Sequence, residues 1–164
     1  ALTNKTIKVR GLERKLRNPT DTDALINGGI LAVEETATGF KVVKSVSTWL
    51  VNDNYNRVEV STGVALDFVA RNVRQALDVL RGEKGNALTL ARAKSIVTGT
   101  LTELARQEPQ GPGVLAGDDA NPAFKNVAVS LAGDVLRVEY QCSPVIPVNF
   151  VLVSIFAVPF SAAA

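Results

Sequence analysis

The strongest constraint on the fold is a helical repeat of apolar residues between Thr62 and Leu80. Five residues recur at spacings of three and four and so share one side of a helix: Leu66, Val69, Val73, Leu77 and Leu80. A second such stretch runs from about Ala87 to Gln107, with Asn86 as a suitable N-cap and Pro109 forbidding its continuation. Two amphipathic helices therefore need an apolar partner layer elsewhere in the chain.

Segments with strand character lie on both sides of these helices. Ile30–Glu34 and Phe40–Thr48 have the pattern of a hairpin around a loop of three to five residues. After a loop at Pro109–Pro122, the alternation over Val127–Gln141 predicts a second hairpin that turns at Ala132-Gly133. We therefore predict an α+β fold, with a mixed or antiparallel sheet flanked by two main helices and an extended C-terminal strand.

Length and composition indicate one domain. The chain has 164 residues, of which 46% are hydrophobic and 21% charged, as in ordinary folded proteins. We expect a single domain over residues 1–164, with an extended leading segment at 1–18 and a C-terminal strand or arm at 143–164. The chain begins with Ala1 and contains no methionine, so either the initiator was removed or, as we expect, the chain is a piece of a longer polypeptide.

The residue types argue against an enzyme. The chain has no histidine, which is the commonest general base and metal ligand near neutral pH. Cys142, the only cysteine, lies beside apolar residues, where a thiol is typically a packing group. The adjacent carboxylates Glu34-Glu35 and Asp118-Asp119 remain as the alternative of an enzyme. Glu34 and Glu35, however, would point to opposite faces of a strand, and Asp118-Asp119 lacks the spacing of a calcium loop. We predict no catalytic residue, no cofactor and no metal site.

Positive charge is concentrated near the start of the chain. The formal net charge is only +2, which does not favour nucleic acid as a partner. The local cluster consists of Lys5, Lys8, Arg10, Arg14, Lys15 and Arg17. The alternative function is a nucleic-acid binding module that uses this Lys5–Arg17 segment, with Trp49 or Tyr55 stacking on bases.

The most apolar segment is VNFVLVSIFAVPF, from Val148 to Phe160. Pro144, Pro147 and Pro159 interrupt its surroundings and leave fewer than the roughly 20 apolar residues of a membrane helix, so we predict no membrane insertion. Two hypotheses remain for its burial. It is either a central strand of the chain's own sheet or a strand that joins another subunit.

Several segments resemble one known family in the order in which they occur. DVLRVEYQCSPVIPVNFVLVSI resembles the end of the contractile tail sheath proteins of bacteriophages and related contractile injection systems. Asn4–Glu35 is similar to the opening of the family's conserved domain, and VARNVRQALDVLRGEKGN to its following helix and turn. Gly39–Thr48 resembles a strand that the family ends in Arg-Ser-Val-Thr-Thr, although Lys44 and Ser47 depart from that pattern.

The resemblance implies a mechanical role. The chain would be a structural subunit of a sheath that polymerises around the inner tail tube and contracts to drive it through the host envelope. Its partners would be other copies of itself, the tube, and the baseplate and tail terminator proteins. It would lie in the virion after assembly in the host cytoplasm.

The resemblance also implies which residues make the contacts between subunits. The expected inter-subunit strand comprises Val148, Asn149, Phe150, Val151, Leu152, Val153, Ser154, Ile155, Phe156, Ala157 and Val158. The candidates for charged contacts with the tube or with other subunits are Arg71, Arg74, Asp78, Arg92 and Lys94. We also expect ion pairs between charged residues spaced four apart on the first predicted helix, Asp67 with Arg71 and Arg74 with Asp78.

Overall fold

The computed structural model describes residues 3–13, 15–16, 19–52, 54–148, 151 and 153–154. The elements, in chain order, are β1 (Thr6–Ile7), α1 (Pro19–Asn27), β2 (Val33–Thr36), β3 (Gly39–Val42), α2 (Tyr55–Val58), α3 (Val60–Leu77), a 3-10 turn (Asp78–Leu80), α4 (Ala87–Ala105), β4 (Phe124–Ala132) and β5 (Val135–Cys142). The predicted α+β class is confirmed. The described strands form two separate antiparallel sheets, ordered β1–β3–β2 and β4–β5, instead of the single sheet predicted.

Helices α3 and α4 form as the apolar periodicity predicted. Their facing sides bury Val69 and Val73 of α3 and Ala93, Val97, Leu101 and Leu104 of α4. Asn86 caps α4, because its Oδ1 accepts a hydrogen bond from the backbone N–H of Thr89 at 2.9 Å. Between the helices, Gly82 has a φ of 83°, a left-handed conformation that suits glycine.

The core lies between this helix pair and the β4–β5 sheet. The buried cluster contains Val69, Val73, Val97, Leu101, Leu104 and Leu115. Alternate residues of the hairpin pack against it from the sheet side, among them Val127, Val138, Tyr140 and Cys142. The strand period of two therefore gives the hairpin one covered face and one exposed face.

The sheet β1–β3–β2 is shorter than the sequence predicted. Strand β2 pairs with β3 from Val33 opposite Val42 to Thr36 opposite Gly39, which leaves two loop residues where three to five were expected. Strand β3 ends at Val42 although strand-forming residues continue to Thr48. The chain leaves the sheet because Val46 forms an isolated bridge with Glu59 at the start of α3.

The second hairpin has the predicted strands and a turn displaced by one residue. Leu131 lies opposite Leu136 and Ala132 opposite Val135, so the turn consists of Gly133 and Asp134. Gly133 has a φ of 64°, as two-residue hairpin turns require.

Candidate assembly surfaces

The β4–β5 hairpin presents two open edges. Its strands are nine and eight residues long, and within the described residues no third strand joins either of them. A two-stranded sheet with unpaired N–H and C=O groups on both outer edges is a template for strands of another chain. Both edges of the hairpin can therefore accept backbone hydrogen bonds from a further strand.

A bulge interrupts one end of this sheet. The pairing register shifts between Lys125 and Ala128, and Asn126 has a φ of 56°. The Nδ2 of Asn126 donates a hydrogen bond to Oε1 of Gln141 on β5 at 3.0 Å. The bulge restricts regular pairing on the β4 edge to the part of the strand near the turn.

The C-terminal segment is fixed where it leaves β5. The backbone N–H of Ala116 donates to the carbonyl of Ser143 at 2.9 Å, and the N–H of Val145 donates to the carbonyl of Val114 at 2.9 Å. Between these bonds, Leu115 and Pro144 form an isolated antiparallel bridge. The segment thus starts as a short strand-like pairing against the loop that follows α4.

Beyond Val145 the described apolar side chains are exposed. Val148 is 80% exposed, Val151 78% and Val153 75%. These three residues and Ser154 carry no regular secondary structure. The other residues of the predicted inter-subunit strand, Asn149, Phe150, Leu152 and Ile155–Val158, lie outside the described residues, so its strand conformation stays a prediction.

A surface groove of about 480 Å³ runs along the first half of α3. Val60, Val64 and Phe68 line one wall, and Pro112 and Val114 line the other. The sequence analysis did not identify this groove, because the core-facing stripe of α3 dominates the periodicity. The four-residue spacing of Val60, Val64 and Phe68 was the available signal.

The charged residues expected to make contacts fall into two groups. Arg71, Arg74 and Asp78 lie together along a second groove, of about 880 Å³, between the end of α3 and the β4–β5 turn. Arg92 is bound to Glu83 at 2.6 Å, and Lys94 is exposed on α4. The first three therefore share one groove, and Arg92 adjoins it through Glu83, which also lines that groove.

The two helical ion pairs expected on α3 are wrong. Asp78 pairs with Arg81 at 3.1 Å instead of with Arg74. The Nε of Arg71 donates to the backbone carbonyl of Asp67 at 3.4 Å, and not to its carboxylate. The 3-10 turn at the end of the helix brings the residue three positions along closer to Asp78 than the residue four positions back.

Cys142 and Asp118, which were considered as chemically active groups, are engaged in packing and in loop structure. Burial raises the pKa of the Cys142 thiol, and it raises that of Tyr140, with a smaller effect from the neighbouring Cys142. The Oδ1 of Asp118 accepts backbone N–H bonds from Ala120 at 3.0 Å and Asn121 at 2.6 Å. Among the described residues no group of three or more Cys, Asp or Glu side chains could hold a metal ion.

Two of the described groups considered for nucleic-acid binding, Trp49 and Lys15, have partners within the chain. The guanidinium of Arg57 covers one face of the Trp49 ring, 4.5 Å from its centroid. Lys15 is bound to Glu35 on β2. Lys5, Lys8 and Arg10 are exposed, whereas Arg14 and Arg17 lie outside the described residues, as does the Tyr55 side chain.

Comparison with known proteins gives one clear sequence relative. No family model matches the chain. Over 146 residues, which are 88% of this chain, it is 29% identical to the tail sheath protein of Bacillus phage SP01. The chain is similar to a tail sheath protein over most of its own length. It spans 24% of that relative, about a quarter of its length.

The fold of this sheath-related chain also occurs in a solved assembly. The structure superimposes with a TM-score of 0.77 on a chain in the cryo-EM structure of the anti-feeding prophage baseplate, which was 6-fold symmetrised. The match covers 94% of this chain and 43% of the other, at 19% sequence identity. The resemblance found in the sequence is confirmed, and neither relative is named as an enzyme. Among the described residues, no helix is long and apolar enough to cross a membrane.

Proposed function

We propose that this chain is the part of a contractile tail sheath subunit that holds neighbouring subunits together around the inner tail tube. The observation that carries the proposal is the similarity to a tail sheath protein over 88% of the chain. The shared fold with a chain of a baseplate assembly supports it. In this role the protein polymerises in an extended state and contracts to drive the tube through the host envelope.

The surface of the isolated chain supports a role in assembly. Among the described residues, Val148, Val151 and Val153 are at least 75% exposed, and Val64 and Phe68 are 58% and 42% exposed. Neighbouring subunits are the natural cover for these apolar side chains.

Connections between subunits use backbone pairing in this proposal. The open edges of the β4–β5 sheet accept a strand from another chain, and the C-terminal segment Val148–Val158 links one subunit to the next. Hydrogen bonds of this kind survive a rigid-body rotation of the domains, which is what contraction of a connected lattice requires.

Charged side chains complete the proposed set of contacts. Arg71, Arg74 and Asp78 form one exposed surface, and Lys94 lies exposed on α4. We assign these residues, with Arg92, to contacts with the tube or with other subunits. The baseplate and tail terminator proteins are the partners at the two ends, in a virion assembled in the host cytoplasm.

Negative-stain electron microscopy of the purified full chain tests the proposal. We expect tubes or stacked rings, and we expect a variant lacking residues 149–164 to lose them while its helical circular dichroism is retained. A wild-type protein that stays monomeric at all concentrations would contradict the proposed function. Assembly of the truncated variant would contradict only the linking role of the C-terminal segment.

A further inference from the structure

The β4–β5 hairpin is anchored at its base and stands clear of α3 near its turn. At the base, Tyr140 and Cys142 pack against the core, and the backbone N–H of Ser143 donates to the carbonyl of Ala123 at 2.9 Å. Near the turn, Val135 is 55% exposed, and a groove of about 880 Å³ separates this end of β5 from α3. Strand β4 packs closely along α4, whereas β5 makes no comparably close approach to α3.

The hairpin has a pivot on its β4 side and a place to bend. Leu131 of β4 rests on the connection between α3 and α4 at Gly85, so closely that a Cβ on Gly85 would lie 2.5 Å from Leu131 Cδ2. The bulge between Lys125 and Ala128 interrupts regular pairing nearer the base, and such a bulge is where a pair of strands bends and twists. The motion left to the hairpin is therefore a rotation that carries the start of β5 toward α3.

Opposite charges lie on the two sides of this groove. Asp134 stands on the hairpin turn, and Arg71 and Arg74 stand on the α3 wall. The other charged side chains of the lining are already in ion pairs, Asp78 with Arg81 and Glu83 with Arg92. Within the part of the chain that the structure describes, the side chains of Arg74 and Asp134 have no ion-pair or hydrogen-bond partner. Attraction across the groove therefore favours its closure.

Apolar side chains between these charges favour closure as well. Leu77 of α3 and Leu136 of β5 line the groove and are only half-buried. Val135, which precedes Leu136, lines it too. Bringing the start of β5 onto α3 removes apolar surface of all three from water, which stabilises the closed position.

We propose that the tip of the β4–β5 hairpin is a lid that closes onto the second half of α3, with Asp134 binding Arg71 or Arg74 as its latch. Strand β4 stays on α4, the contact at Gly85 is the pivot, and the start of β5 moves. The open position leaves the two arginines free for other proteins, and the closed position covers them. The motion belongs to a single chain, so it does not depend on the sheath function proposed above.

Disulfide trapping within one chain tests the closure. All variants carry Cys142→Ala, and the test variant adds Gln75→Cys and Val135→Cys, two exposed positions on opposite walls of the groove. A disulfide forms only when the two Cα atoms come within about 7 Å. In dilute protein we expect it to form at least about fivefold faster than in the matched control, Ala70→Cys with Val135→Cys, because Ala70 is exposed on α3 outside the groove. Equal rates for the two pairs would overturn the proposal.

A charge-neutral substitution tests the latch. Adding Asp134→Asn to the test variant should slow trapping about threefold, as expected for loss of a partly exposed ion pair. The matched control is Asp119→Asn, at an exposed acidic residue outside the groove, and should leave the rate unchanged. Trapping that does not respond to Asp134→Asn would overturn the proposed latch and with it the lid as stated.

Spin labels on the same two cysteines measure the motion without a chemical trap. We expect two distance populations between residues 75 and 135 in the monomeric protein, and we expect Asp134→Asn to reduce the shorter one. A single distance that Asp134→Asn does not change would overturn the proposal. A protein that shows both distances but forms no tubes or rings would support the lid and contradict only the sheath function.

Discussion

Asn126 holds a backbone conformation that few side chains adopt. Its φ of 56° lies in the left-handed region, which asparagine tolerates better than other non-glycine residues. Its side-chain bond to Gln141 spans the two strands of the hairpin. One residue thus fixes both the bulge and the register at this end of the β4–β5 sheet.

Replacing Asn126 tests this role. We expect Asn126→Ala to lower the free energy of unfolding by about 1–2 kcal/mol, from the left-handed backbone and the lost hydrogen bond. Asn126→Gly removes the same bond but accepts the positive φ, so we expect a smaller loss in urea denaturation. Equal losses would show that the backbone conformation contributes nothing.

Cys142 gives a prediction for pH dependence. Burial raises the pKa of its thiol above the ordinary value of 9.0, so the folded state favours the neutral form. The stability gained from keeping the Cys142 thiol neutral is fully present below the pKa that this thiol has in the unfolded chain. That stability is lost as pH rises through the pKa of the thiol in the folded protein. Between about pH 8 and about pH 10 we expect the wild type to lose more stability than Cys142→Ala does. Parallel losses in the two proteins would contradict this.

At the scale of elements, the sequence predicted what local periodicity determines. The stripe through Val69 and Val73 and the cap at Asn86 were predicted correctly, because both depend on residues within a few positions of one another. The end of β3 at Val42 was not predictable in this way. It depends on Val46 pairing with Glu59 and on Ser45 donating to Thr3 Oγ1 at 3.1 Å, contacts between distant parts of the chain.

The candidate site was predictable to a similar degree. The exposed valines of the C-terminal segment were identified from their sequence. The groove beside α3 was not, because Pro112 and Val114 reach α3 only through the tertiary fold. Residues from a loop carry no periodicity that would connect them to a helix more than forty positions earlier.

A pair of leucines on α4 tests the packing of the helix layer. Leu101 is fully buried, and Leu88 is 77% exposed. We expect Leu101→Ala to cost about 2–5 kcal/mol because it removes apolar contacts and leaves a cavity. Leu88→Ala on the same helix should change the unfolding free energy by less than about 0.5 kcal/mol. Similar denaturation midpoints for the two variants would be inconsistent with this core.

At the scale of the whole molecule, the exposed apolar residues predict how the proposed assembly responds to temperature. If burial of these residues provides the main attraction, the protein assembles more strongly on warming from about 4 to about 25 °C, because hydrophobic stabilisation weakens in the cold. Added salt should weaken assembly less than cooling does. Sedimentation of polymer across both conditions measures the two effects.

If added salt weakened assembly more than cooling did, charged contacts would be the main attraction between copies. Polymer that dissolves in salt and persists in the cold would point to Arg71, Arg74 and their neighbours as the main contacts. Phe68→Asp then would leave the assembled fraction unchanged, whereas it lowers that fraction if exposed apolar residues such as Phe68 provide the attraction.

The backbone hydrogen bonds that fix the start of the C-terminal segment also determine where a pulling force on that segment is transmitted. Val145 is bonded to Val114, and the backbone N–H groups of Val114 and Leu115 both donate to the carbonyl of Leu104, at 3.0 and 3.3 Å. Leu104 lies in the core near the end of α4. Under the proposed function, tension on the segment is therefore shared between the covalent path into β5 and the hydrogen bonds that lead through the loop to the buried end of α4.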